Sequence, residues 1–236
     1  MYKSLGYDLY VITDETVGRG RSHAELATQA VDGGADVIQL RDKRLPAPDL
    51  LEAATAIRKI TRDSGALFIM NDHLDLALRV GADGVHLGAA DIPLPEARSL
   101  SPPGFIIGAS VGSVAGALRA EAAGADYVAL SPTFATGSKS DAGPGLGLFV
   151  LSAIRAAVSV PLIAIGGINA GNVADVIAAG ADGVAVISAV VGEDDVTAAA
   201  PVPRARVSPP EPRPLAAPPT GPTLPFYTYP SPTDQR

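Results

Sequence analysis

Three polar side chains occupy alternate positions at the end of one apolar segment. Gln39, Arg41 and Lys43 are each separated by one residue, and side chains on a strand alternate between its two faces. They share one face if Ile38 and Leu40 pack against helices. Two cations and an amide in line suit a diphosphate, because a guanidinium fork matches phosphate oxygens. A surface ion-pair patch is the alternative, although an arginine on a buried face is costly without a ligand.

Two carboxylates follow the next two apolar segments. Asp72 comes directly after Asn71, and Asp91 stands three residues after Gly88. Carboxylates that leave room for water suit Mg²⁺, which prefers oxygen ligands. Each Asp could instead cap the helix that follows it. Because Asp72 and Asp91 are expected close to each other and to the cationic segment, the pair predicts a Mg²⁺ site.

A second group of polar residues lies in the C-terminal half. One long segment rich in Gly and Ser carries Thr136, Ser138 and Lys139, and long connections in compact domains are usually binding loops. Gly166-Gly167 and Ile187-Ser188 each follow a later apolar run. Backbone N–H groups at the ends of the last two strands of a barrel commonly hold phosphate. These residues predict a second phosphate site.

The elements that position these residues follow a repeat. Gly-Ala-Asp occurs at residues 34, 81, 124 and 180, each time after a helical pattern and before a β-branched run, so each copy predicts a helix-to-strand turn. Strands are expected near residues 9, 37, 67, 85, 106, 128, 162 and 184. Helices are expected over residues 24–31, 50–61, 115–122 and 173–178, with only a short one over 92–101.

Alternating strands and helices predict a parallel sheet covered on both faces. Eight units in about 200 residues match the lower size limit of a closed (β/α)8 (TIM) barrel, whose active site lies at the C-terminal ends of the strands. An open doubly wound sheet is the alternative, but the turn at Thr13-Asp14-Glu15 lacks its Gly-rich pattern.

Composition divides the chain near residue 200. Residues 201–236 hold 12 of the 21 prolines, which predicts a disordered, partly polyproline tail after a catalytic domain over residues 1–200. The chain has a net charge of −7 and its tail is basic, so the domain is acidic and nucleic-acid binding is not expected. Without Cys there is no disulfide and no thiolate metal site. No apolar run has signal-peptide or membrane-spanning length, which favours a cytoplasmic protein.

The three histidines give weaker signals. His23 is expected near a helix start and solvated, and His73 at another helix start. His86 lies within the fourth strand, where a hydrogen-bonded core residue is more common than a base. No Ser-His-Asp arrangement and no H-x-x-H metal pattern is present.

The ordered set of loop motifs resembles the thiamine phosphate synthase family over residues 9–190. The matching segments are 10–14 (YVITD), 39–43 (QLRDK), 71–72 (ND), 84–88 (GVHLG) with Asp91, 108–110 (GAS), 124–128 (GADYV), 136–139 (TGSK), 165–168 (IGGI) and 186–188 (VIS). No single segment is diagnostic, whereas the ordered set is.

The resemblance implies a transferase that condenses hydroxymethylpyrimidine diphosphate with hydroxyethylthiazole phosphate, giving thiamine phosphate and diphosphate with Mg²⁺. It implies that the pyrimidine diphosphate is held by Gln39, Arg41, Lys43, Asn71, Ser110 and Lys139. It implies that Asp72 and Asp91 hold Mg²⁺, and that the thiazole phosphate is received by Thr136, Ser138, Gly167, Ile187 and Ser188. Of these, Arg41, Lys43, Lys139 and Ser110 are the candidate catalytic residues.

The chain departs from the family pattern at Ala89-Ala90, Ser138 and Gly112. The family often has Gln-Glu at the first of these, a second Thr at the next, and His or Thr at the last. Two alternatives stay open: a related thiazole tautomerase, and a non-catalytic protein that binds thiamine precursors. The expected partners are phosphorylated small molecules, with no nucleic acid and no membrane, and an oligomer is possible.

Overall fold

Short apolar strands alternate with helices in the computed structural model, which describes residues 6–138 and 143–201. The strands are β1 (Leu9–Thr13), β2 (Val37–Leu40), β3 (Leu67–Asn71), β4 (Gly84–Leu87), β5 (Ile106–Val111), β6 (Tyr127–Leu130), β7 (Leu162–Ile165) and β8 (Gly183–Val186). The helices are α1 (His23–Asp32), α2 (Ala47–Ser64), α3 (Leu74–Val80), α4 (Leu94–Leu100), α5 (Val114–Ala122), α6 (Gly147–Ala157), α7 (Val173–Ala178), α8 (Ser188–Val191) and α9 (Val196–Ala199).

The eight strands form one closed parallel barrel. Each strand pairs with the next in sequence, and β8 returns to β1 with Val184 opposite Leu9. The predicted (β/α)8 barrel is therefore confirmed, and the open-sheet alternative is wrong. All β-strand residues of β2, β6, β7 and β8 are buried, as expected of strands covered by helices on one side and by the barrel interior on the other.

The Gly-Ala-Asp repeat is indeed a helix-to-strand turn, and its Asp does more than the sequence indicated. All four glycines have a positive φ between 66° and 103°, which a residue without Cβ adopts at little cost. Each Asp precedes an even-numbered strand and accepts a backbone N–H at the start of the strand before it. The pairs are Asp36 with Leu9, Asp83 with Phe68, Asp126 with Ile107 and Asp182 with Leu162.

Arginines from the helices complete three of these turns. Arg58 donates to Asp83 over 2.8 Å, Arg98 bonds to Asp126 and Arg155 bonds to Asp182. Each of these carboxylates therefore ties a helix to two strands at the N-terminal end of the barrel. Polar groups at this end serve the fold, which leaves the C-terminal end for ligands.

The predicted helices are present with small boundary shifts, and the segment over 92–101 contains only the short α4. Helices α3 and α6 were not among the predicted helices; α6 is apolar over most of its length, with Ser152 and Arg155 as its polar residues. Among the described residues, no helix is long and apolar enough to cross a membrane.

The described chain ends where α9 packs on the end of α1. Thr197 Oγ1 donates to the Gln29 carbonyl over 3.0 Å, and a Cβ on Gly33 would meet Ala200 and the Thr197 carbonyl at 2.6 Å. The predicted Pro-rich tail lies outside the described residues from position 202 onward, so the domain boundary at 200 stays a prediction.

Candidate active site

A series of hydrogen bonds crosses the barrel interior between β2 and β5. Gln39 Nε2 donates to Tyr10 Oη over 2.8 Å, and Tyr10 Oη lies 3.0 Å from Tyr127 Oη. His86 bonds through Nδ1 to Tyr127 Oη and through Nε2 to Ser110 Oγ, each at 2.9 Å. Because β1 and β6 are not neighbours in the barrel, the tyrosine pair spans its interior. The series thereby links two of the predicted substrate-binding residues, Gln39 and Ser110.

The two hydrogen-bonded tyrosines, Tyr10 and Tyr127, remain neutral. Burial raises the pKa of Tyr10 and of Tyr127 well above the usual tyrosine value, because an ion is poorly solvated in the interior. His86 is bonded at both ring nitrogens and stacks on the Tyr127 ring with centroids 5.6 Å apart. It is therefore a hydrogen-bonded interior residue, as its position in β4 indicated.

Gly108 leaves space for the ring of Tyr127. A Cβ at Gly108 would stand 2.0 Å from the ring of Tyr127, far inside contact distance. The glycine of the GAS segment is thus required by the tyrosine on the neighbouring strand. Sequence reasoning missed both tyrosines, and the glycine at the centre of β5 was the signal that another group approaches closely there.

The cationic residues lie directly after β2. Gln39 is 3% exposed inside the barrel, Arg41 is partly exposed and Lys43 is exposed. Lys43 is close enough to Asp72 for its charge to lower the pKa of that carboxyl. The structure therefore brings the predicted cationic segment next to the predicted metal ligands.

Asp72 and Asp91 meet at the neighbouring ends of β3 and β4. Burial raises the pKa of Asp72 above its ordinary value, and both a hydrogen bond and the charge of Asp91 raise it further, while Lys43 and His73 act in the opposite direction. Asp91 Oδ2 also accepts the Gly88 N–H over 2.6 Å. Two facing carboxylates repel each other when both are ionised, so a divalent cation between them fits this donor set.

The helix-capping alternative for these carboxylates is wrong. Helix α3 begins after His73, which was expected at a helix start, and α4 begins after Pro93. Neither helix has a side-chain cap hydrogen bond. Asp72 itself has a φ of +63°, an uncommon conformation for a residue other than glycine. Such strain is typical of a residue that is kept for its side chain rather than for the turn.

A second pocket lies at the ends of β6, β7 and β8. Its empty volume is about 370 Å³, including the part open to solvent. The residues predicted to receive a phosphate line it together: Thr136, Ser138, Gly167, Ile187 and Ser188. Lys139, predicted to lie in the same loop, is outside the described residues.

The loop after β6 is attached to the end of β7 by backbone hydrogen bonds. The N–H groups of Thr133 and Phe134 donate to the carbonyls of Ile165 and Gly166 over 2.6 and 3.0 Å. Gly167 has a φ of +65°, and a Cβ there would meet the Ala135 carbonyl at 2.6 Å. The Gly-Gly pair therefore lets the loop lie against the strand end, which gives the pocket its wall.

His23 is buried, so the expectation that it is solvated is wrong. It is 1% exposed at the start of α1, because it fills the space between the end of β1 and the segment after β2. One carboxylate oxygen of Glu15, one of Asp42 and a ring nitrogen of His23 lie within 4.8 Å of one another. Asp42 and His23 are already engaged with backbone and side-chain partners, which gives this group a structural explanation without a metal.

Comparison with known proteins agrees with this arrangement. The family model described as thiamine monophosphate synthase matches residues 9–190. A thiamine-phosphate synthase of Methanoculleus marisnigri is 76% identical over 196 residues, which are 83% of this chain and 93% of the relative. One of Moorella thermoacetica is 56% identical over 82% of this chain and 92% of the relative.

Solved structures give the same result. A thiamine phosphate pyrophosphorylase from Pyrococcus furiosus superposes with a TM-score of 0.80 at 42% identity, covering 86% of this chain and 96% of that one. A 3-hexulose-6-phosphate synthase at 22% identity and a TM-score of 0.67 shares the fold. The chain therefore belongs to the thiamine monophosphate synthase family of transferases.

Proposed function

We propose that the chain condenses 4-amino-2-methyl-5-hydroxymethylpyrimidine diphosphate with hydroxyethylthiazole phosphate, giving thiamine phosphate and diphosphate in a Mg²⁺-dependent reaction. The observation that carries the proposal is a pair of anion-binding regions at one end of one barrel. Cations and the acidic pair stand at β2 to β4, and a glycine- and hydroxyl-lined pocket stands at β6 to β8. Joining two phosphorylated molecules requires both to be held at one mouth.

The β2 to β5 side suits the pyrimidine diphosphate. The residues proposed to bind it are Gln39, Arg41, Lys43, Asn71, Ser110 and Lys139. Gln39 and Ser110 are the two ends of the series of hydrogen bonds across the barrel, so their amide and hydroxyl are well ordered for a flat heterocycle. Asp72 and Asp91 would hold Mg²⁺, which supplies charge neutralisation of the diphosphate.

The pocket at β6 to β8 suits the thiazole phosphate. Thr136 and Ser138 offer hydroxyl donors, and the lining at Gly167, Ile187 and Ser188 offers backbone N–H donors. A phosphate held by N–H groups at barrel strand ends is the usual arrangement in this fold. The ring nitrogen of the thiazole would then face the pyrimidine across the mouth.

The proposed chemistry needs no nucleophile from the chain. The bond between the exocyclic carbon and the diphosphate oxygen breaks, and the diphosphate leaves with the electron pair. The amino group of the pyrimidine stabilises the resulting cation, and the lone pair of the thiazole nitrogen forms the new C–N bond. Arg41 and Lys43 would bind the diphosphate more strongly as its charge grows, while the barrel aligns the nitrogen.

A thiazole tautomerase fits this pocket less well. That reaction needs an acid or base next to the thiazole, and the described residues that line the pocket include no His, Asp or Glu. Position 112, where a His would serve, is an exposed glycine. A Cβ there would meet only Leu146, at 3.6 Å, so the missing side chain leaves open space.

Diphosphate release measured with both substrates and Mg²⁺ tests the proposal, with each component omitted in turn as a control. Arg41→Ala should lower turnover, whereas Arg62→Ala removes an equally charged group from the exposed face of α2 and should not. A chain that releases no diphosphate with both substrates, while bound precursors still raise its melting temperature, would be the non-catalytic binding protein instead.

A further inference from the structure

Asp42 stands between Arg41 and Lys43 in sequence but turns away from the mouth. Its side chain is 5% exposed, whereas Lys43 is exposed and Arg41 partly so. Its carboxylate accepts the backbone N–H groups of Arg44 and Leu45 over 2.7 and 3.0 Å through Oδ1. Residues 43–45 bend instead of continuing the strand, so the hydrogen bonds of Asp42 close the turn that follows Arg41 and carries Lys43. Holding the Asp42 carboxylate on the helix side, against His23 of α1, therefore fixes the backbone from which its two cationic neighbours project.

His23 holds the second oxygen of this carboxylate. His23 Nε2 lies 3.4 Å from Asp42 Oδ2, and Nδ1 lies 2.7 Å from Thr13 Oγ1. An ionised carboxylate only accepts hydrogen bonds, so Nε2 carries the proton in this contact. The ring thus joins the end of β1 to the segment after β2 through one buried side chain.

The surroundings leave His23 little freedom to move. His23 is the first residue of α1, and a capping box formed by Ser22 and Glu25 fixes the first turn of that helix. Its backbone N–H donates to Glu15 Oε1 over 3.3 Å. Because the helix start is held on both sides, the imidazole is a rigid support against which Asp42 rests. Groups that orient a ligand-binding side chain in this way commonly control its affinity.

We propose that His23 and Asp42 are positioning residues that hold Arg41 and Lys43 toward the diphosphate. This inference rests on the proposed function, since it assumes that the two cations bind that group. Neither His23 nor Asp42 touches the substrate; they act through the backbone of residues 41–45. Their loss should weaken diphosphate binding by about 10- to 100-fold, the range seen when a supporting hydrogen bond is removed or a group is misplaced by about 1 Å.

The test uses His23→Leu, which removes both ring hydrogen bonds, and His23→Gln, whose amide keeps a donor for Asp42. We expect the KM for the pyrimidine diphosphate to rise at least tenfold in His23→Leu and to recover partly in His23→Gln. The KM for the thiazole phosphate should stay within about twofold of wild type, because its pocket lies at β6 to β8. A uniform rise of both KM values would overturn the positioning role.

Thr61→Val is the matched control for lost stability. Thr61 is also fully buried and bonds only to its own helix, donating to the Arg58 carbonyl. It should lower the melting temperature without changing either KM. If His23→Leu behaves in the same way, the residue supports the fold alone and the proposal is wrong.

Calorimetric binding of inorganic diphosphate with Mg²⁺ separates this inference from the proposed function. Unchanged affinity in both His23→Leu and Asp42→Asn would overturn the positioning role, whether or not the wild type turns over. Wild-type binding without any turnover would instead overturn the proposed reaction. Should His23→Leu fail to fold, His23→Gln and Asp42→Asn carry the comparison, and in the double variant their losses should not add if they act as one unit.

Discussion

Replacing Asp91 by Asn should stabilise the protein in the absence of Mg²⁺. In the fold, Asp91 raises the pKa of Asp72, so the two ionised carboxylates oppose folding at neutral pH. Asn keeps an oxygen for the Gly88 N–H, which Asp91 accepts over 2.6 Å, and removes one charge. Two unit charges about 4 Å apart repel by about 4 kcal/mol at an effective dielectric of 20. Solvent at this half-buried site screens most of that repulsion, so a gain of about 1 kcal/mol is expected.

The same variant should lose its response to Mg²⁺. A cation present at about one hundred times its dissociation constant adds about 2.7 kcal/mol to the folded state. For a domain of about 200 residues, 1 kcal/mol moves Tm by about 2–4 °C. Wild type should therefore gain about 5–11 °C from saturating Mg²⁺. Asp91→Asn should gain little, although it starts about 2–4 °C higher without the ion.

The pH dependence follows from the direction of the pKa shift. Because the pKa of Asp72 is raised in the fold, the stability linked to its protonated form is present at acid pH and is lost as the pH rises through that pKa. The advantage of Asp91→Asn without Mg²⁺ should therefore be largest near pH 8 and shrink toward acid pH.

Calorimetric melting of both proteins at low salt, with EDTA or with Mg²⁺ and over a series of pH values, measures all three effects. A Tm for Asp91→Asn several degrees below wild type in EDTA would show that the carboxylates do not oppose each other. An undiminished Mg²⁺ shift in the variant would remove Asp91 from the metal site.

Four further outcomes are expected. In steady-state kinetics with each substrate varied in turn, Arg41→Ala should lower kcat and raise the KM for the pyrimidine diphosphate, whereas Ser188→Ala should mainly raise the KM for the thiazole phosphate; the reverse pattern would exchange the two sites. Asp83→Ala should cost about 1–3 kcal/mol in chemical denaturation, because a strand N–H loses its acceptor, with both KM values unchanged. Tyr127→Phe should cost a similar amount, since His86 Nδ1 loses its partner and Tyr10 Oη keeps only Gln39; an unchanged Tm would mean that water replaces the hydroxyl. Deleting 202–236, which lie beyond the family match, should leave Tm and turnover unchanged, and a loss of either would show that this segment packs on the barrel.

Local patterns were sufficient to predict the barrel. Helix-to-strand turns recur at fixed residue types, and each of the four Gly-Ala-Asp copies begins with a glycine of positive φ. The candidate site residues could be grouped for the same reason, since parallel strands in a barrel all end at one mouth. A pattern that recurs at intervals along the sequence can be recognised from the sequence alone.

Contacts across the barrel could not be predicted in this way. Tyr10 and Tyr127 are 117 positions apart, and only closure of the barrel brings their hydroxyls together. The burial of His23 depends on the path of the segment after β2, and a polar residue at a helix start is more often exposed. The contact between Asp72 and Asp91 likewise depends on the left-handed backbone at Asp72, for which a non-glycine residue gives no reliable signal.

Aspartates have different surroundings at the two ends of the barrel. At the N-terminal end, Asp83, Asp126 and Asp182 each have an arginine and a strand N–H as partners, so their charges are balanced inside the fold. At the C-terminal end, Asp72 faces another carboxylate, and burial together with that neighbour raises its pKa. A carboxylate paired with an arginine needs no further partner, whereas two facing carboxylates repel each other until a cation or a proton reduces their charge. The repulsion between Asp72 and Asp91 therefore marks the place at the C-terminal end where a bound cation would complete the site.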